Sequence, residues 1–228
     1  MSILEVFSER LDVLLSSDEA PLLVMVGGHN GAGKSTFYRL HLRDMLGSQM
    51  PHLDPDAFER EIAESRGQLE RFNVPDEDRS KVAQRLCAHT RVNHFAHRRS
   101  FSFETVFSDE AGDKIKFLRD AQTCGYTTLL IGIGLASPDL SYARVLQRQQ
   151  ENGHGVPRDR CFARYPRVIN NLAVGMRCVT LGLLMDNSED APGEGGYSGI
   201  AVFEEGGLLQ SADTCPKWTD PIICMSTH

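Results

Sequence analysis

Lysine is scarce in this chain: of its 24 Lys+Arg, five are lysine and 19 are arginine. Tryptophan occurs once, and aromatic residues make up only 7% of the 228 residues. Positive charge is not in excess, since 31 Asp+Glu leave a net charge of −7. That balance speaks against an extended polyanion such as DNA as the partner. The longest apolar run, Leu129 to Ala136, is far short of the ~20 residues that cross a bilayer. The N-terminal stretch MSILEVFSERLDVLL carries Glu5 and Glu9 inside its apolar pattern. It lacks the basic start and continuous hydrophobic core of a signal peptide. A cytoplasmic protein without membrane contact is expected. The six cysteines are scattered, with no CxxC pair and no histidine at zinc-finger spacing, and read as reduced thiols. Repeats and low-complexity linkers are absent too.

What is present is ordinary globular chemistry, 41% hydrophobic and 24% charged. A chain of this length buries roughly 70% of its unfolded surface and needs no staple. Residues 1–228 are expected to form a single domain. Leu4, Phe7, Leu11, Leu14 and Leu15 recur at helical spacing. Leu22 to Val26 is a short apolar run ending in Gly27-Gly28, the form of a strand buried on both faces. A helix over 35–46 and a short strand around Met50 to Leu53 follow. Asp56-Ala57-Phe58-Glu59 has the form of a capping box opening a helix towards Gly67. A helix over 75–99 is expected to turn Val82, Leu86 and Val92 inward. Further strands are expected at 101–106, 127–135 and 179–185. Between them lie a helix capped by Ser108 and ending at Gly125, and a helix opened by Ser137-Pro138 that ends near Asn152-Gly153. The last of these helices begins at Val156-Pro157 and runs to Arg177, with a kink at Pro166. Ile200–Phe203 and Leu208–Gln210 flank Glu205-Gly206-Gly207 as a β-hairpin. Strands alternating with helices predict an α/β fold: five parallel strands flanked by helices, with a C-terminal hairpin.

The strongest chemical signal directly follows the first strand. Gly28-His29-Asn30-Gly31-Ala32-Gly33-Lys34-Ser35-Thr36 fits the G-x-x-x-x-G-K-[ST] pattern of a P-loop. The glycines let successive backbone N–H groups turn inward as an anion nest, and the following helix adds its positive end. Lys34 brings a point charge to the β- and γ-phosphates, and the Ser35 hydroxyl suits a Mg²⁺ ion. A nucleoside triphosphate is the expected ligand.

Two further absences narrow the class. The fourth strand ends in Ala136-Ser137 with no acid, unlike motor ATPases, and no NKxD-type guanine motif occurs. Small-molecule kinases instead place an acid beyond the second strand, in the crevice where an acceptor hydroxyl sits. Asp54-Pro55-Asp56 occupies that location. Asp56 is the candidate base, although its capping-box pattern also suits a plain helix cap. Glu104, at the tip of the third strand, faces the same crevice and suits either Mg²⁺ or the acceptor.

The arginines are unevenly placed. Seven lie between Arg144 and Arg177 against two acids, so this stretch is +5 and the remainder −12. Arg144 and Arg148 share one helical face, as do Arg160 and Arg164 on the next helix. Two arginine-bearing helices joined by Gly153-His154-Gly155 describe a mobile lid over 138–172 that closes on the triphosphate, or else a solvated basic face.

Taken together, these motifs resemble the zeta toxin family of kinases. The resemblance is carried by Lys34-Ser35-Thr36, Asp54-x-Asp56-x-Phe58 and Phe103-Glu104-Thr105-x-x-Ser108. It is carried further by Arg144-Val145-x-x-Arg148, by Gly153-His154-x-Val156-Pro157 with Arg164-Tyr165, and by Asp186-Asn187-Ser188. It implies phosphoryl transfer from ATP with Mg²⁺ to a sugar hydroxyl, in better-known members the 3′-hydroxyl of a UDP-linked amino sugar. It also implies Asp56 as base, Glu104 supporting metal or substrate, Arg144, Arg148 and Arg164 on the phosphates, and Asn187 near the adenine. An inhibitory antitoxin-like partner is compatible with it. The segment 57–99 takes the acceptor side but carries no sugar-nucleotide signature. Val106 stands where many relatives have a second threonine. The acceptor therefore stays open between a nucleotide-sugar such as UDP-N-acetylglucosamine and another metabolite such as NAD, a nucleoside or a simple sugar. A non-catalytic ATP-binding module is the alternative from a different class.

Overall fold

The computed structural model describes residues 1–16, 20–47, 49–64, 79–150, 155–189 and 196–224. A seven-stranded sheet in the order β2-β3-β1-β4-β5-β6-β7 forms its centre. The strands are β1 (Leu22–Gly28), β2 (His52–Leu53), β3 (Phe101–Thr105), β4 (Thr127–Gly134), β5 (Leu181–Asp186), β6 (Ser198–Glu204) and β7 (Gly207–Ser211). The first five are parallel, and the hairpin β6–β7 extends the same sheet antiparallel beyond β5. The described helices are α1 (Ile3–Ser16), α2 (Lys34–Phe37), α3 (Arg43–Met45), α4 (Pro55–Glu64), α5 (Arg79–Ala96), α6 (Asp113–Thr123), α7 (Pro138–Gln150), α8 (Arg158–Gly175) and α9 (Asp220–Ile223).

Strand β1 is buried at every position because helices cover both faces of the sheet. Its side chains alternate: Leu23 and Met25 enter one core, while Leu22, Val24 and Val26 enter the other. The first core takes Leu118 and Ala121 of α6 and Val168, Leu172 and Ala173 of α8. The second takes Ile3, Val6, Phe7 and Leu11 of α1, with Phe37 and Leu42 after the P-loop. Strand order reverses between β1 and β4, which opens a crevice beyond their C-terminal ends.

Several local expectations change. The helix foreseen over 35–46 is interrupted by a π-helical turn at Tyr38–Leu42. Asp56 does not cap α4: its own N–H donates to Asp54 Oδ1 at 3.0 Å, and the N–H groups of Ala57 and Phe58 donate to the Asp54 carbonyl. Asp54 is the cap, with Pro55 at the first helical position, where a missing N–H costs nothing. Ser108 does not cap α6, which starts at Asp113 after Gly112, where the Lys114 N–H donates to Asp109 Oδ2. In α5, Leu86 and Val92 are exposed, at 44% and 59%, and the buried positions are Ala83 and Cys87. Pro166 lies inside α8, which continues through it to Gly175. Gly67, the start of the 75–99 helix, the Gly153-His154 hinge and most of the acidic loop before β6 fall outside the described residues.

Candidate active site

Register brings the candidate residues together. Val26 pairs with Glu104 and Gly27 with Thr105, so the end of β3 lies beside the start of the P-loop. Leu53 pairs with Phe103, which carries Asp54 to the same level on the far side of β3. Across β4, Gly134 pairs with Asp186, placing Asn187 opposite.

The P-loop turns on Gly31 (φ 71°) and Gly33 (φ 84°), both in the left-handed region that L side chains avoid. A Cβ at Gly33 would also collide with the Tyr197 hydroxyl and the Asn187 amide. Those two groups secure the loop: Tyr197 donates to the Gly33 carbonyl at 2.6 Å and Asn187 Nδ2 to the Ala32 carbonyl at 3.0 Å. Ser141 Oγ donates to the Asn30 carbonyl at 2.7 Å. Lys34 Nζ folds back onto the carbonyls of His29 (2.9 Å) and Gly28 (3.4 Å). Burial holds the Lys34 ammonium below its usual range, with Glu104 opposing that shift. Thr36, the last residue of the motif, follows Ser35 within α2.

His29 is buried. Its Nε2–H donates to the Tyr165 carbonyl at 3.3 Å, and its ring stacks on Tyr165 at 4.4 Å. Burial lowers its pKa to about 3, so the ring is neutral at physiological pH. The edge of Trp218, from a 3-10 turn at Lys217–Thr219, completes the enclosure at 6.4 Å. Trp218 Nε1–H donates to Asp186 Oδ1 at 2.8 Å, and Ser188 Oγ donates to the same oxygen at 2.6 Å. Apart from being the lone tryptophan, Trp218 carries no local mark of this C-terminal cap.

At the tip of β3, Ser35 Oγ donates to Glu104 Oε2 at 2.8 Å, and His52 lies 3.0 Å from Oε1. The Glu104 side chain is only 7% exposed. Two hard oxygen donors, a hydroxyl and a carboxylate, suit Mg²⁺, which is commonly held by one or two carboxylates and the substrate phosphates. Asp54 is pushed above the usual carboxylate range, first by burial and then by the Glu104 charge. Asp56, by contrast, is exposed, and its Oδ2 lies 3.8 Å from Arg148 Nη1. Residue-by-residue reading missed His52.

Three arginines of α7 and α8 converge here. Arg148 meets Asp56, Arg164 Nη1 donates to Asn30 Oδ1 at 3.3 Å, and Arg144 Nη1 donates to the Asn187 carbonyl. Others turn away: Arg158 pairs with Asp139 and lies over the Phe162 ring, and Arg167 pairs with Glu110. The second half of α8 is core, so the arginines near the P-loop come from its first turns and from α7.

Among the described residues, no helix is long and apolar enough to cross a membrane. All six cysteines are free. The family model described as Zeta toxin matches residues 8–180. No curated protein matches the sequence closely enough to count as a relative. Among solved structures, a chain of the PezAT chromosomal toxin–antitoxin system of Streptococcus pneumoniae is similar, with 18% identity and a TM-score of 0.51 over 81% of this chain and 76% of that one. The native AvrRxo1-ORF1:ORF2 complex matches with 16% identity and a TM-score of 0.59, over 99% of this chain and 72% of that one. Its complex with ATP matches with 17% identity and a TM-score of 0.55, over 90% and 65%. At such identities the likeness speaks for the fold.

Proposed function

The chain belongs to the zeta toxin family, and from that premise we propose that it is an ATP-dependent kinase acting on the hydroxyl of a nucleotide-sugar such as UDP-N-acetylglucosamine. The observation that carries this reading is the approach of Arg148 to Asp56 beside the P-loop. This contact supports Asp56 as base for an acceptor hydroxyl and Arg148 as cation for the transferring phosphate. The AvrRxo1-ORF1:ORF2 structure with ATP, on the same fold, supports ATP as the donor.

In this reading the P-loop backbone, Gly28 to Thr36, cradles the triphosphate, and Lys34 leaves the Gly28 and His29 carbonyls for the phosphate oxygens. Ser35 and Glu104 would hold Mg²⁺, which when bound neutralises charge on the β- and γ-phosphates. Asp56 accepts the proton of the acceptor hydroxyl and aligns its oxygen on the γ-phosphorus. The O–P bond to the acceptor forms as the bond to the ADP oxygen breaks. Arg148 and Arg164 supply planar guanidinium forks to the transferring group, and Arg144 and Asn187 hold the nucleotide side. Tyr165 and Tyr197, each pushed to about 12 by burial, stay protonated as hydrogen-bond donors. The segment 57–99 takes the acceptor, and 138–172 closes as the lid. A toxin–antitoxin source for one similar structure supports an antitoxin-like protein as partner.

The experiment is mass spectrometry of a metabolite extract incubated with protein and ATP·Mg²⁺. A UDP-N-acetylamino sugar gaining one phosphate is the expected product. A phosphorylated nucleoside, NAD or simple sugar instead would move the acceptor. Tight ATP binding with no phosphorylated product would favour a regulatory ATP-binding module.

A further inference from the structure

Strand β3 reads Phe101-Ser102-Phe103-Glu104-Thr105, and its alternation puts the two phenylalanines on one face and Ser102 and Glu104 on the other. The neighbouring strand β2 is only two residues long, and its register sets His52 opposite Ser102. The imidazole of His52 bridges the two polar residues, Nδ1 lying 2.8 Å from Ser102 Oγ and Nε2 lying 3.0 Å from Glu104 Oε1. A carboxylate accepts only, so Nε2 carries the hydrogen in that contact. Tyr38, from the π-helical turn after the P-loop, lies flat on the other side of the ring at 3.4 Å and 10°. The ring is therefore fixed by two hydrogen bonds and one stacking contact. Its side chain is 15% exposed, too enclosed to reach an acceptor itself.

We propose that His52 is the positioning residue of this site, clamping Glu104 Oε1 so that Oε2 stays turned to Ser35, with which it would hold Mg²⁺. The proposal rests on the reading of Ser35 and Glu104 as cation ligands. A carboxylate on a strand tip can rotate about its last torsion, and a ligand free to do so loses its fixed place in the coordination shell. His52 removes that freedom before the cation arrives. Partners in this position typically contribute 10–100-fold to metal affinity.

Two amide substitutions separate the contacts. His52→Gln places an N–H where Nε2 lies, within reach of Glu104. His52→Asn is one methylene shorter and keeps only the Ser102 side. Both retain a polar group in the pocket. ATP binding to the full chain is measured by calorimetry in EDTA and over a Mg²⁺ series, alongside turnover. In EDTA, both variants are expected to bind ATP within about twofold of the unsubstituted chain. In Mg²⁺, His52→Asn is expected to need about tenfold more cation for half its gain in affinity, and His52→Gln to recover most of that loss. A Mg²⁺ requirement for His52→Asn equal to that of the unsubstituted chain overturns the role of His52 and leaves the kinase reading standing. Equal losses in both variants overturn it too, since the Glu104 contact is then not the cause. An unsubstituted chain whose ATP binding gains nothing from Mg²⁺ overturns the cation site on which the proposal rests.

Discussion

His29 and Tyr165 lie ring on ring, 4.4 Å apart and 20° from parallel, locking the P-loop onto α8. The stack couples folding to pH. Folded His29 titrates at about 3, because burial disfavours its charged form. Free histidine titrates near 6.5. As pH falls below 6.5, the unfolded chain gains a proton that the folded chain refuses, so stability present above that pH is lost. By pH 5 the loss is about 2 kcal/mol, at about 1.4 kcal/mol per unit. His29→Phe keeps the stack and removes the titration. Urea melts at pH 7 and pH 5 should show the variant losing about 2 kcal/mol less than the unsubstituted chain over that interval.

Asp54 runs in the opposite direction. Its carboxyl is held above the usual range, so the stability it lends is fully present below its ordinary pKa and lost as pH rises through the folded one. At neutral pH its charge beside Glu104 is a cost to the fold. Asparagine caps a helix as well as aspartate does. Asp54→Asn is therefore expected to raise the thermal midpoint at pH 7. At pH 3 the gain should vanish. A lower midpoint at pH 7 would mean that the charge is compensated in the fold.

Trp218, the single tryptophan, is placed to report on the nucleotide side through Asp186 and His29. Its indole lies over Gly134, where an added Cβ would run into the ring. Gly134→Ala should destabilise the fold by about 1–3 kcal/mol, as overpacking does. It should also shift the tryptophan emission to the red. ATP should change that emission in the unsubstituted chain. Constant emission under saturating ATP would separate the cap from the nucleotide site.

Lys34→Ala removes the ammonium that the P-loop carries for the phosphates. Turnover of ATP should fall sharply while the midpoint of unfolding moves little, because among the described residues Lys34 donates its hydrogen bonds to the Gly28 and His29 carbonyls of its own loop. Unchanged turnover would contradict the P-loop assignment.

The parts legible in the sequence are those whose chemistry is local. The P-loop needs its glycines and lysine in one fixed order, and the buried strands β1 and β4 announce themselves as apolar runs. Contacts that depend on register were harder to see. His52 looks like filler ahead of Asp54 until β2 pairs with β3, although Ser102 and Glu104, polar at alternate positions of an otherwise aromatic strand, hint at a polar partner. The cap of α4 was placed two residues late because Asp54 and Asp56 both suit the role, and only the backbone shows which carboxylate accepts the N–H. Leu86 and Val92 follow helical periodicity yet are exposed, and the buried positions of α5 are Ala83 and Cys87. Nothing local marks Trp218 as a member of the site, since its partners lie at residues 29, 134 and 186.

The proposed function has Asp56 and the P-loop acting together in phosphate transfer. Its most direct measurement is transfer of labelled γ-phosphate from ATP·Mg²⁺ to the acceptor, compared between the unsubstituted chain and Asp56→Asn. Asp56 is exposed and caps no helix, so the variant should fold and bind ATP normally. Its transfer is expected to fall about 10²–10⁴-fold, the contribution typical of a positioned base. Transfer by Asp56→Asn at the unsubstituted rate would rule out Asp56 as the base.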